Sequence, residues 1–213
     1  MTSSFHNSLR NSSRVAVALA VLAGFATSSH AVNLLTNGSF EDETQANGTW
    51  AIYSSLTGWS GGAGGIELRN NVAGVAYDGV NYVELDTTTN SLAYQSLATG
   101  SNQQYLLTFA YSPRENVGVA SNGIEVFWNN TSLGQFTGTG AASGNNWTLK
   151  TATVFGTGGL TELKFVAYGD SDSFGGSLDA VSLTAVPEPE TYAMMLAGIG
   201  VVGFVAARRR RMM

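Results

Sequence analysis

The chain has 213 residues, ten Lys or Arg against fifteen Asp or Glu, and a net charge of −5. It contains no cysteine, which excludes disulfides and thiolate metal sites, and its two histidines, His6 and His30, both lie near the N-terminus. Between residues 32 and 186 thirteen acidic side chains face only four basic ones (Arg69, Arg114, Lys150 and Lys164), a net charge of −9 that excludes the basic patch nucleic acid requires.

The N-terminal segment reads as an export signal. Arg10 and Arg14 precede the apolar run Val15–Phe25, and Ser29-His30-Ala31 puts small residues at −3 and −1 of a cleavage site before Val32. The run is too short to span a bilayer comfortably. Residues 1–31 are therefore expected to be a signal peptide, and residues 32–186, a span of 155, one domain with its own core.

That middle segment shows no sustained helical period. It shows period-two alternation instead, in Tyr82–Asp86 (Val83, Leu85), Tyr105–Ser112 (Tyr105, Leu107, Phe109, Tyr111), Ile124–Trp128 (Ile124, Val126, Trp128), Leu160–Tyr168 (Leu163, Phe165, Ala167) and Asp179–Leu183 (Val181, Leu183). Asn37-Gly38, Asn47-Gly48, Asp78-Gly79 and Asn122-Gly123 are expected turns, and Trp128–Leu133 a hairpin. The fold class is all-β, an antiparallel β-sandwich of eight or more strands.

At the C-terminus Pro187-Glu188-Pro189 precedes Thr191–Ala207, an uncharged and mostly apolar run, and Arg208, Arg209, Arg210 and Arg211 follow at once. As a helix this run reaches roughly 26 Å, just enough to cross a bilayer, with the arginines on the cytoplasmic side. Pro-Glu-Pro, an apolar helix and a terminal arginine cluster in this order resemble the PEP-CTERM sorting signal, so residues 187–213 form the expected sorting tail. The resemblance implies recognition by an exosortase, removal of the tail from a membrane-anchored precursor, and delivery to the cell surface or extracellular matrix.

A second resemblance lies in the order of motifs across the middle domain: Asn37-Gly38-Ser39-Phe40-Glu41, Gly58-Trp59, Asp78–Leu85, Tyr105–Phe109 and Leu178–Leu183. The series is similar to the galactose-binding-like jelly roll, which includes many carbohydrate-binding modules. The resemblance implies a structural calcium, with Glu41, Asp78 and Asp179 as carboxylate ligands and Ser39 and Asn81 giving backbone carbonyls. Calcium takes six to eight such oxygens. Strict alternation also puts Asp179 on one face with Val181 and Leu183, where a core-ward carboxylate needs a partner; the alternative is that Asp179 caps a turn and Glu41 is solvated.

Without histidine or cysteine in the domain, Ser-His-Asp and Cys-His catalysis and histidine-ligated zinc are excluded. Glu125 with a second carboxylate is the remaining glycosidase arrangement. Trp50, Trp59, Trp128, Trp147, Tyr82 and Tyr111 are the aromatic candidates for a sugar platform, most of them expected in the core. Arg69 and Arg114, scarce cations in an acidic domain, are each expected to face a defined carboxylate. The expected function is non-catalytic binding of polysaccharide or another surface component, with a purely structural matrix role and a two-carboxylate glycosidase or lyase as alternatives.

Overall fold

The computed structural model describes residues 32–187 and 189–211. The expected signal peptide lies outside the described residues, and so does Glu188. Twelve strands follow one another along the chain: β1 (Thr49–Tyr53), β2 (Ser55–Leu56), β3 (Trp59–Gly61), β4 (Ile66–Asn70), β5 (Asn81–Glu84), β6 (Leu92–Ala98), β7 (Gln104–Ser112), β8 (Gly123–Trp128), β9 (Thr131–Phe136), β10 (Thr148–Phe155), β11 (Leu160–Tyr168) and β12 (Ser177–Ala185). They form two six-stranded sheets, β1-β4-β5-β12-β7-β10 and β2-β3-β6-β11-β8-β9, in which every pairing is antiparallel. The chain stays within one sheet only at β2–β3, β4–β5 and β8–β9, and passes to the other sheet at every other connection between strands.

The alternating residues face each other across the sandwich. Leu68, Val83, Leu107, Phe109 and Leu183 of the first sheet meet Ala93, Ile124, Val126, Leu163 and Phe165 of the second. Aromatic rings join the layers, with Phe109 5.3 Å and Trp59 6.1 Å from Phe165, and Phe40 5.5 Å from Trp59. Each such large apolar side chain contributes about 1.5–3 kcal/mol on burial. The Trp128–Leu133 hairpin forms as expected, because Asn129 and Asn130 both take φ > 0 (46° and 63°), the pair a tight hairpin turn requires. Asn122-Gly123 is not a turn: Asn122 is buried and Gly123 opens β8.

One face assignment is overturned. Asp179 pairs with Ala110 and Ser182 with Thr108, so two residues of β12 oppose one of β7, and Ala180 sits at φ 47°. This bulge reverses the alternation. Val181 and Leu183 point into the core as expected, but Asp179 lies on the outer face of the first sheet.

That outer face is polar yet buried. Glu67, Arg69, Tyr82, Glu84, Ser112, Ser177 and Asp179 are all buried. Residues 71–80 run across it as a strap. Tyr82 Oη donates to Val72 O, while Trp147 Nε1 and Asn145 Nδ2 donate to Val75 O at 2.8 and 2.9 Å.

After β12 the chain forms a helix, α1 (Pro189–Arg211). Proline suits its first position, where its missing N–H is not needed. Met194, Leu196, Ile199, Val202 and Phe204 are exposed, as are Arg208, Arg209 and Arg210. The expected membrane span is not found: among the described residues no helix is long and apolar enough to cross a membrane.

Candidate functional site

The five residues expected to hold a metal lie together at the C-terminal end of the strap, where hydrogen bonds join them. Asp179 is 0 % exposed, and its Oδ2 accepts from the Tyr77 and Asp78 N–H groups at 2.7 and 3.0 Å, while Oδ1 accepts from Ala180 N at 2.6 Å. Glu41 Oε1 accepts from Val80 N and Asn81 N at 2.8 and 2.7 Å. Ser39 Oγ donates to Asp78 Oδ2 at 2.7 Å, and Asn81 Nδ2 donates to Phe40 O and Glu43 O at 3.1 and 3.0 Å. Ser39 and Asn81 thus join through their side chains. The carboxylates serve mainly as anchors for backbone N–H groups, and among the described residues no three acidic or histidine side chains gather closely enough to form a metal cluster.

Two features of this region are unbalanced. Asn81 Oδ1 is buried without a hydrogen-bond partner. Burial drives the Asp179 carboxyl up to about 7, against the pull of its three N–H donors, and the Asp78 carboxylate adds to the rise. Gly79 completes the strap's end at φ 72°, and a Cβ there would overlap the Glu41 carboxylate. Gly79→Ala should therefore destabilise the protein by about 1–3 kcal/mol, read by denaturant unfolding.

Beside the strap lies a buried ionic cluster. Glu67 and Glu84 stand directly opposite each other on β4 and β5, and Arg69 spans them, with Nε 2.6 Å from Glu67 and Nη1 2.9 Å from Glu84. Arg114 Nη1 reaches the other oxygen of Glu84 at 3.1 Å. Both scarce arginines thus have the carboxylate partners expected of them. Burial pushes the Glu84 carboxyl up to about 7, opposed by the two guanidiniums.

Arg114 carries this cluster to the surface. Its guanidinium stacks on the Phe174 ring at 4.6 Å, and Nη1 also donates to Ser173 O at 3.1 Å. Here the segments 113–121 and 172–174, together with Ala73 of the strap, line a cavity of about 410 Å³. Glu115, Asn116, Ser121 and Asp172 supply its polar wall, and the Phe174 ring is 45 % exposed at its rim.

Buried polar side chains hold both segments. Asp86 Oδ2 accepts from Asp172 N, Ser173 N and Phe174 N at 3.0, 2.9 and 3.3 Å. Asn122 Oδ1 accepts from Arg114 N at 2.8 Å, and its Nδ2 donates to Val117 O and Gly118 O at 2.9 and 3.2 Å. Ser121 Oγ donates to Asp172 Oδ2 at 2.7 Å and joins the two segments. Phe174, Asp86 and Asn122 were not singled out as site residues by the sequence. The signal available was a scarce arginine between two loop-rich segments.

The aromatic candidates divide. Trp59, Trp128 and Tyr111 are core, Tyr82 is buried on the outer face beneath the strap, Trp147 is half-buried under the strap's contacts, and Trp50 is exposed on β1. Glu125 accepts from Ser132 Oγ at 2.7 Å on the opposite sheet, far in topology from the cluster.

Comparison with known proteins adds four findings. Residues 185–211 match the family described as the PEP-CTERM protein-sorting motif. Over 162 residues, 74 % of the chain, the sequence is 30 % identical to a multifunctional-autoprocessing repeats-in-toxin of Vibrio vulnificus, of which it spans only 3 %. A Stig cyclase from Fischerella sp. TAU has the same fold, with a TM-score of 0.55 at 18 % identity, covering 74 % of this chain and 99 % of that one. A looser likeness, with a TM-score of 0.48 at 16 % identity, is to the carbohydrate-binding module TmCBM61 over 73 % of this chain and 99 % of that one. Pro187 and Pro189 fall within the matched stretch, as do the four arginines that end α1. Residues 185–211 thus carry a PEP-CTERM protein-sorting motif, the mark of an exported protein sorted to the surface.

Proposed function

We propose that the sandwich is a non-catalytic domain that binds a neutral polysaccharide in the Arg114–Phe174 cavity once the protein has been exported. The observation that carries this reading is the Phe174 ring, half open to solvent and backed by a guanidinium at 4.6 Å, beside fixed carboxylate, amide and hydroxyl groups. A pyranose offers an apolar C–H face for such a ring and a rim of hydroxyls for such a wall. The wall is set before any ligand arrives, because Asp86 and Asn122 already fix both segments, which lowers the ordering cost of binding.

The charge balance selects among sugars. Arg114 is already faced by Glu84, and Glu115 and Asp172 add two further carboxylates to the wall. An anionic glycan meets repulsion there, and a neutral one does not. The carboxyls with raised proton affinity, Glu84, Asp86 and Asp179, are all buried, and Asp86 spends Oδ2 on the Asp172, Ser173 and Phe174 N–H groups, which supports a binding role over hydrolysis. The fold leaves this open, since a cyclase shares it.

The test is retention of the purified chain on immobilised neutral and uronate polysaccharides. Saturable binding to a neutral glycan, weakened about tenfold by Phe174→Ala, is expected, the scale of one aromatic contact. Absence of binding across the panel, or binding indifferent to Phe174→Ala, would remove the proposal.

Calcium is the second element of this reading. The unpartnered Asn81 Oδ1 and the buried Asp179 carboxyl without a cation fit an oxygen-seeking ion, which Glu41, Asp78 and Ser39 would help to hold. Its role would be to fix the strap. For the tail, the reading is that an exosortase recognises Pro187, Glu188 and Pro189 and removes α1 with Arg208, Arg209, Arg210 and Arg211, leaving the sandwich at the cell surface or in the matrix.

A further inference from the structure

The strand β10 closes one end of the first sheet and, among the described residues, pairs only with β7. Gly156 N donates to Gln103 O, which continues the β7–β10 register by one position. In an antiparallel ladder hydrogen-bonded and non-hydrogen-bonded pairs alternate. Gly156, Val154, Ala152 and Lys150 therefore turn their N–H and C=O toward β7. Leu149, Thr151, Thr153 and Phe155 turn theirs away, into an open edge. On the other side of β7, Val186 N donates to Gln104 O, which requires the same assignment.

Proteins usually guard such an edge with an outward lysine, a proline or a bulge. β10 has no proline, and its pairing with β7 is regular from Thr148 to Phe155. Its one charged residue, Lys150, is turned to the other face, with Nζ 6.0 Å from the Tyr111 ring and 5.9 Å from that of Phe136. The residues with open backbone groups instead carry Leu149, 51 % exposed, and Phe155, 57 % exposed.

We propose that β10 pairs antiparallel with β10 of a second copy of this chain, joining two sandwiches through one continuous sheet. Directly opposed residues must point to the same face, so a two-fold axis must pass through a single residue of the strand. With the axis at Ala152, Leu149 stands against Phe155 at both ends and Thr151 against Thr153 between them. Every outward N–H and C=O then finds a partner, and both exposed apolar side chains gain an apolar neighbour. With the axis at Thr151, Leu149 meets Thr153 and Phe155 falls opposite Trp147, outside the strand, so Ala152 is the favoured centre. The Arg114–Phe174 cavity lies elsewhere, on segments 113–121 and 172–174, and remains free in each copy.

The chain's lack of cysteine makes the test direct. In full-length protein held in mild detergent, Ala152→Cys should oxidise to a disulfide-linked dimer, because facing residues of a non-hydrogen-bonded pair lie within disulfide reach. Unmodified protein should sediment as a dimer. Thr151→Pro should make it monomeric with its circular dichroism unchanged, since the Thr151 N–H points away from β7 and no ladder bond is lost. Thr151→Lys, which guards the edge without touching the backbone, should do the same. A monomer at all concentrations would overturn the proposal. So would a dimer that persists in both Thr151 variants, as association through α1 would give, or open-ended polymers, as pairing of β10 with β1 of the next copy would give.

Discussion

Arg69→Ala should lower the melting temperature by on the order of 10 °C, corresponding to about 3–5 kcal/mol. The guanidinium is buried between two glutamates that face each other across β4 and β5, and it is the shared counter-ion that lets both stand there. Its removal leaves Glu67 without its only ion pair and Glu84 with Arg114 alone. Replacing Arg69 and Glu67 together, by Met and Leu, should recover at least half of the loss. A buried ion pair exchanged for apolar packing costs little, whereas a single orphaned charge costs a great deal. Equal losses in the single and double variants would show that the cluster acts through packing rather than charge.

The second large effect concerns Asp179. Its carboxyl is raised from the ordinary 3.8 to about 7 by burial, so its contribution to stability is full below about pH 4 and is lost as pH rises through 7. In EDTA, unfolding free energy should therefore fall by about 2–3 kcal/mol between pH 5 and pH 8 from this group alone. A bound cation favours the ionised carboxylate, so excess calcium should flatten that slope and raise the melting temperature at pH 8. Asp179→Asn should abolish both the slope and the calcium effect. The amide can accept at only one atom, so it should also loosen the strap at Tyr77 and Asp78, seen as faster hydrogen exchange there. A calcium-independent melting curve would leave Asp179 as a backbone anchor without a metal.

Legibility differed sharply between fold and site. Strands such as β7, β8 and β11 could be read directly, because one face of each packs on the core and the alternation survives. β4 was opaque for a physical reason: the strap and the ionic cluster bury its outer face too, so Ile66–Asn70 is buried throughout and its charged residues imitate a surface strand. At β12 the alternation itself misled, since the positive φ of Ala180 shifts the register and no property of alanine announces this. Ser39, Glu41, Asp78, Asn81 and Asp179 were expected as calcium ligands through a resemblance; what joins them in the structure is a set of hydrogen bonds that tie the strap. The cavity at Phe174 was not legible. It depends on Asp86 and Asn122 gathering backbone groups from segments distant in sequence, and Asn122-Gly123 carried the local signature of a turn.

The most direct test of the central claim is to titrate isotope-labelled protein with a neutral oligosaccharide and map the backbone amide shifts. The largest changes should fall on Ala73, Asn116, Gly118 and Phe174, around the cavity, with little change at Trp50 or Tyr168. Shifts confined to the latter residues, or none at saturating sugar, would contradict a glycan site at Arg114 and Phe174.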